Sequence, residues 1–237
     1  MLGVMTTLPT MDDDQVPRLR SAQEQALALF DAVIAVGILR PGVDERAASD
    51  AIRQLAAERF GVESFWHKRI VRAGVNTLAP YRENPPNLTL QDDDICFLDF
   101  GPVFADWEAD LGRTYVLGSD PAKLAIRDAA ERIWHEGHAH FVASPDLTAA
   151  QLYGFVRDRL CDAGYTLGDI RHVGHLVGAF PHERIEDDQV TAYLGPENEL
   201  PIRRRRPDGQ PWHWILEIHA VDRQQGVGAF FEQLLTC

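Results

Sequence analysis

The segment ICFLDFGPVFADWEADLGRTYV (residues 95–116) places Asp99 and Asp110 at equal distances from a predicted tight turn at Phe104-Ala105. An antiparallel hairpin about this turn would bring the two carboxylates side by side. Like charges opposite each other destabilise a hairpin by some tenths of a kcal/mol to about one, and by more when they are also desolvated. A bound cation would reverse the sign of that interaction, so the segment predicts a metal-binding hairpin.

A second pair of carboxylates repeats this arrangement near the end of the sequence. Glu217 in WHWILEIHAV and Glu232 in VGAFFEQLL are equidistant from a predicted turn at Gln224-Gln225. His175, in the glycine-flanked segment GHLVGAFPHE between the two hairpins, adds an imidazole. Four carboxylates and one imidazole suit two divalent metal ions.

Composition limits the class of protein. With 237 residues, 45% of them apolar, the chain is long enough for one sizeable core, and we predict a flexible segment at residues 1–18 followed by a single domain at residues 19–237. The net charge of −13 argues against binding to nucleic acid or to an anionic membrane. The three cysteines form no CxxC pair, no basic region with a long apolar core opens the chain, and no run reaches about 18 apolar residues. These features predict a protein of the reducing cytoplasm.

Helix-start signals divide the chain into two similar halves. Ser21 has capping-box spacing to a glutamate, and Asp44 begins a second predicted helix that runs to about residue 60. In the second half, Asp120 precedes a proline, and Thr148 has capping-box spacing to a glutamine. Strand-like segments that carry the site carboxylates follow each helix pair. This order predicts an α+β fold with two repeated halves and a site at the seam between them.

Taken together, these motifs resemble metallopeptidase family M24, which includes methionine aminopeptidase, Xaa-Pro dipeptidase and creatinase. LDFGPVFADWEADLGRTY is similar to the family's D-x-G segment plus D-x-x-R-T, and GHLVGAFPHE is similar to G-H-x-x-G-x-x-x-H-E. The resemblance covers nearly the whole chain after about residue 20. It implies the pita-bread fold, in which two pseudo-symmetric helix–helix–strand halves surround a dinuclear site of Mn, Fe, Co or Zn. The metal ligands implied are Asp99, Asp110, His175, Glu217 and Glu232.

The same resemblance implies roles for three further residues. His182 would contact the substrate or the developing oxyanion. Tyr81 stands where the family has a histidine that bonds the scissile amide, so it would either line the pocket as a poorer proton shuttle or merely pack in a displaced loop. His219 shares a strand face with Glu217, where the family usually has proline directly after the glutamate. It would either support a ligand or the substrate, or be a solvent-facing or structurally hydrogen-bonded residue.

The function implied is that of a metal-dependent exopeptidase of the Xaa-Pro dipeptidase or aminopeptidase type, hydrolysing a short peptide or small amide with a metal-activated water. One alternative is a reaction on a non-peptide small molecule, as in creatinase, ectoine hydrolase or a lyase of this fold, and another is a non-catalytic binding module. The donor set accepts several metals, manganese among them. We expect the catalytic domain alone, and the oligomeric state, a homodimer included, stays open.

Other polar residues lack the support of a motif. The four arginines at 203–206 are expected to form a solvated loop, the alternative being a lip that attracts an acidic substrate or pairs with a neighbouring subunit. His172 has no spacing that would assign it to the site. His135, His138 and His140 are expected to be surface or packing residues of one helix.

Overall fold

The computed structural model describes residues 15–169, 171–182 and 190–236. Its elements in chain order are α1 (Gln15–Ala35), α2 (Glu45–Phe60), β1 (Ile70–Ala73), a 3₁₀ helix (Gly74–Leu78), β2 (Ile95–Phe100), β3 (Val103–Phe104), β4 (Trp107–Glu108), β5 (Leu111–Val116), α3 (Pro121–Ala143), α4 (Ala149–Asp162), β6 (Thr166–Leu167), β7 (Gly174–Val177), β8 (His213–Asp222) and β9 (Val227–Leu234). Of the N-terminal segment predicted to be flexible, residues 1–14 lie outside the described residues and residues 15–18 belong to α1. None of the described helices is both long and apolar enough to cross a membrane.

Side-chain caps begin three of these helices. The Asp44 carboxylate accepts a backbone hydrogen bond of 2.9 Å at the start of α2, Asp120 caps α3, and Thr148 forms a reciprocal capping box with the glutamine in the first turn of α4. The predicted starts of these helices are confirmed. The capping box predicted at Ser21 is wrong, because α1 is already helical at residue 15 and Ser21 lies in its interior.

The strands that carry the site form one antiparallel sheet. Its order is β1-β2-β5-β9-β8-β6, and β7 also pairs with β8. The first half of the chain supplies β1, β2 and β5, the second half supplies β6 to β9, and the halves meet where β5 pairs with β9. Helices α1 and α2 share one core with Leu98 and Phe100, while α3 and α4 share another with Trp214 and Leu216. The predicted α+β fold with two helix–helix–strand halves is confirmed.

The second predicted hairpin has the expected register. Glu217 on β8 is directly opposite Glu232 on β9, and the pairing continues to Asp222 opposite Val227. The connection is therefore centred between residues 224 and 225, as the spacing of the two glutamates predicts.

The first predicted hairpin is wrong in register. Asp99 is opposite Gly112 rather than Asp110, a difference of two residues. The reason is the position of the turn, which is centred on Ala105 and Asp106 with φ of 47° and 66°. Positive φ at both central residues gives the twist that a two-residue hairpin turn requires. Asp110 consequently lies at a diagonal position to Asp99, on the same face of the hairpin.

The arginines at 203–206 are engaged by the fold. The Arg203 guanidinium lies 3.8 Å from the centre of the Phe141 ring and donates to the Phe141 carbonyl. The Arg204 guanidinium lies 5.1 Å from the centre of the Trp214 ring. Contacts of this kind hold the loop on the aromatic residues beneath it, so at least these two arginines serve the structure of the loop.

Candidate metal centre

Three carboxylates lie in one row across the middle of the sheet. Asp99 on β2 pairs with Gly112 on β5, Gly112 pairs with Glu232 on β9, and Glu232 pairs with Glu217 on β8. Directly opposed residues of an antiparallel sheet project from the same face. The register therefore places the Asp99, Glu232 and Glu217 side chains on one face, with a glycine between the two halves.

Gly112 provides the space that this row needs. A Cβ at that position would lie 2.4 Å from the Phe230 ring and 2.9 Å from the Glu232 Cβ. Both distances are shorter than real contacts of a Cβ. The absence of a side chain at Gly112 thus lets Glu232 approach the first half of the chain.

Asp110, just before β5, joins the carboxylates of the two halves. One group of close donor atoms consists of His67, Asp99 and Asp110, and the other consists of Asp110, His175 and Glu232; within each group the donor atoms lie within 4.8 Å of one another. Four of the five predicted ligands therefore lie in two adjacent groups that share Asp110.

Glu217, the fifth predicted ligand, lies beside these groups. It is next to Glu232 in the row, but in the part of the chain that the structure describes it belongs to neither group. Its Oε1 lies 2.9 Å from Nδ1 of His172. His172, which no motif assigned to the site, is therefore a direct neighbour of a predicted ligand.

Burial makes the electrostatics of these groups unusual. Asp99, Asp110 and Glu232 are each at most 6% exposed. Burial raises the pKa of Asp99 to about 7, with His67 opposing the shift and Asp110 adding to it. Burial and the neighbouring Asp110 raise the pKa of Glu232 well above its ordinary value. Burial would also raise the pKa of Asp110, but His67 and His175 outweigh it and hold that pKa below the ordinary range.

The residues present fit divalent cations. Among the described residues, Oε2 of Glu232 is a buried acceptor without a hydrogen-bond partner. A buried, unpaired carboxylate oxygen costs free energy unless a cation or a donor satisfies it. The donor atoms of both groups are carboxylate oxygens and imidazole nitrogens, which are ligands of Mn, Fe, Co and Zn.

His182 is held beside the donor groups by Glu108, a residue that the sequence analysis missed. Its Nδ1 lies 2.8 Å from Oε2 of Glu108, and its backbone N–H donates to Oε1 at 3.0 Å. Glu108 is 1% exposed and also accepts from the backbone of Gly178. The Trp66 ring is near both His175 and His182, with its centre 5.4 Å from that of His175 and 5.6 Å from that of His182.

Comparison with known proteins agrees with this arrangement. The profile of Metallopeptidase family M24 matches residues 17–234, almost the whole chain. The chain belongs to metallopeptidase family M24. An Xaa-Pro dipeptidase of Lactobacillus delbrueckii subsp. lactis is 30% identical over 171 residues, which are 72% of this chain and 45% of that protein. This M24 chain thus spans about half the length of the curated relatives it matches.

Solved structures share the fold of this M24 chain. Dipeptidase PepE from Mycobacterium ulcerans aligns with a TM-score of 0.69 and 25% identity, covering 94% of this chain and 56% of that one. A dipeptidase from Pyrococcus horikoshii aligns with a TM-score of 0.73 and 21% identity, covering 93% and 56%. These likenesses support the pita-bread fold that the motifs implied.

Tyr81 and His219, for which the sequence analysis left two roles open, line one small cavity. Tyr81 and His219 line a space of about 30 Å³ together with Asp99 and Glu217. His219 is buried, its Nε2 lies 2.8 Å from the carbonyl oxygen of Thr77, and burial lowers its pKa. Because a carbonyl oxygen only accepts, Nε2 of His219 carries a proton and donates to it. The cavity is large enough for a water molecule.

His67 is another residue of this M24 chain that the sequence analysis did not assign to the site. It precedes β1 and matches no spacing motif in the segment FWHKRIV. Its position follows from the pairing of Ile70 with Asp99, which carries the chain before β1 past the end of β2. Only the pairing partner of β1, which local sequence does not specify, would have pointed to it.

Proposed function

We propose that this chain carries the active site of a metal-dependent dipeptidase that acts on Xaa-Pro peptides. The observation that carries the proposal is the pair of donor groups that share Asp110 at the junction of the two halves. Family membership and the similarity to Xaa-Pro dipeptidases support a dipeptidase over a reaction on a non-peptide small molecule. The low exposure of the donors supports a site that excludes bulk water from the reacting bond.

We further propose that the centre holds two divalent ions. His67, Asp99 and Asp110 surround one position, Asp110, His175 and Glu232 surround the other, and Glu217 lies within the same row of carboxylates. Bound ions would lower the pKa of a water molecule and polarise the scissile carbonyl. Manganese suits the carboxylates, whereas iron, cobalt and zinc also suit the imidazoles. We place the reaction in the cytoplasm, where the free thiols of Cys96 and Cys161 stay reduced.

Side chains around the centre have distinct tasks in this proposal. His182 donates from Nδ1 to Glu108, which orients the ring, and in its doubly protonated form the ring would donate from Nε2 to the substrate carbonyl. Tyr81 supplies a hydroxyl that can donate to the substrate. Because burial raises the pKa of Tyr81 above its ordinary value, its hydroxyl stays protonated and serves binding rather than proton transfer.

The test is turnover of Xaa-Pro dipeptides by protein reconstituted separately with manganese, cobalt, iron or zinc. We expect hydrolysis that a chelator abolishes and metal restores, with Asp110→Asn lowering kcat/KM on the order of 100-fold or more. Asp158→Asn is the matched control, because Asp158 lies on the exposed surface of α4 with its side chain 61% exposed. Metal-loaded protein that cleaves small amides but no dipeptide would contradict the proposal and favour a non-peptide substrate.

A further inference from the structure

The His67 ring lies against both aspartates of the first donor group. Its Nε2 is 3.0 Å from Oδ1 of Asp110 and 3.5 Å from Oδ1 of Asp99. We infer that His67 is a sixth protein ligand of the metal centre, binding the ion that Asp99 and Asp110 also hold. The inference rests on the proposed metal centre and adds a ligand that the motifs of the chain do not contain.

The hydrogen bonds of the ring identify the nitrogen that binds. Nδ1 of His67 lies 2.8 Å from the carbonyl oxygen of Lys68. A carbonyl can only accept, so Nδ1 carries a proton, and in a neutral imidazole the lone pair is then on Nε2. That lone pair faces the oxygens of Asp99 and Asp110, which are also acceptors when ionised. A divalent cation among the three atoms satisfies all of them at once.

His175 shows the same pattern in the second donor group. Its Nδ1 lies 2.9 Å from the carbonyl oxygen of Leu176, the next residue in the chain, and its Nε2 lies 3.1 Å from Oδ2 of Asp110. In each case Nδ1 is fixed by the carbonyl that follows the histidine, and Nε2 faces Asp110. The carboxylate of Asp110 thus has one imidazole at each oxygen, and each donor group contains one histidine.

The surroundings of His67 hold the ring in this position. A Cβ on Gly101 would lie 2.3 Å from Cδ2 of the ring, so the ring packs directly on the backbone there. The Trp66 indole, whose N–H donates to the carbonyl of Ala109 at 3.0 Å, has its ring centre 4.6 Å from that of His67. The Tyr81 ring centre is 5.9 Å away. Packing on three sides gives the preorganisation that a metal ligand needs.

A different role for His67 would satisfy the same distances. A doubly protonated ring would donate from Nε2 to the two aspartates, acting as a fixed counter-ion in place of the first cation. The two roles have opposite consequences. A ligand strengthens metal binding when it is present, whereas a counter-ion competes with the metal and its removal strengthens metal binding.

The first experiment is titration of metal-free protein with cobalt, comparing wild type with His67→Ala. As a ligand, His67 contributes to one site only. We expect the affinity of one of two cobalt ions to fall on the order of 10- to 100-fold while the other stays within about threefold. Circular dichroism establishes that the variant is folded. Unchanged or tighter binding of both ions by folded His67→Ala would overturn the inference.

The second experiment gives a signal that only a ligand position can produce. In His67→Cys, a thiolate at the metal would add a thiolate-to-cobalt charge-transfer band in the near ultraviolet. Lys68→Cys is the matched control, because the Lys68 side chain donates instead to the Glu83 carbonyl at 3.2 Å. The band is expected in His67→Cys and in neither Lys68→Cys nor wild type. Its absence from folded, cobalt-loaded His67→Cys would overturn the inference.

These readouts separate the inference from the proposed function. Neither measurement uses peptide turnover, so wild-type protein that binds two cobalt ions but cleaves no dipeptide would overturn the dipeptidase proposal alone. Wild-type protein that binds no cobalt would overturn both. Wild-type turnover together with unchanged metal binding in His67→Ala would overturn only the role of His67.

Discussion

Glu45, the first residue of α2, is a buried carboxylate that ties down the segment carrying Tyr81. Its Oε1 accepts from the backbone N–H of Ala73 at 2.7 Å, and its Oε2 accepts from that of Leu88 at 3.1 Å. The amide of Asn76 donates to both oxygens at 3.0 Å. One side chain therefore joins the two ends of residues 73–88, and its loss leaves three donors without their acceptor.

The expected effect of Glu45→Ala follows from these contacts. A hydrogen bond to a charged group contributes about 1.5–3 kcal/mol, and the contributions of neighbouring bonds are not additive. Asn76 keeps its bond to the Pro86 carbonyl, and water can reach the partly exposed Leu88 N–H. We therefore expect the free energy of unfolding to fall by about 3–5 kcal/mol, and Tm by about 6–20 °C.

The assay is urea unfolding followed by circular dichroism, with all proteins in chelator so that metal binding does not contribute. Glu58→Ala is the matched control, because Glu58 lies on the same helix and its Oε1 accepts an exposed hydrogen bond from Gln54. Its expected change is within about 0.5 kcal/mol. Glu45→Gln, which keeps one acceptor oxygen, should lie between the two. A Glu45→Ala variant within about 1 kcal/mol of Glu58→Ala would refute the reasoning.

Two further predictions concern the sheet. Gly112→Ala would put a Cβ 2.4 Å from the Phe230 ring, so we expect about 1–3 kcal/mol of destabilisation and weaker metal binding, measured by urea unfolding and cobalt titration. If Gly112→Ala kept the wild-type stability and the wild-type affinity for cobalt, the close packing at Gly112 would be contradicted. Burial raises the pKa of the Cys96 thiol to about 12, whereas an unfolded thiol ionises near about 8.5. The stability from keeping this thiol protonated is therefore complete below about pH 8.5 and declines as pH rises towards 12. In a Cys237→Ser background, a disulfide reagent at pH 8 should label the exposed Cys161 at once and Cys96 only on unfolding; rapid labelling of both would contradict this.

Local sequence determined much of the secondary structure and the order of the predicted ligands. Asp44, Asp120 and Thr148 mark helix starts because their side chains satisfy N–H groups only a few residues away. Glu217 and Glu232 are opposed because a short connection sets the register of a hairpin. Such interactions span few residues, so spacing alone predicts them.

Tertiary structure decided what depends on residues distant in the chain. The turn at Ala105 and Asp106 shifted the register of the first hairpin by two residues. The sequence did not predict this turn, because alanine and aspartate indicate a positive φ less clearly than glycine does. His67 reached Asp110, 43 residues away, only through the pairing of β1 with β2. The spacing of residues along the chain does not predict which strands will pair across a sheet. The sequence by itself therefore determined the helices and the carboxylates of this chain, whereas the pairing of its strands decided which imidazoles those carboxylates face.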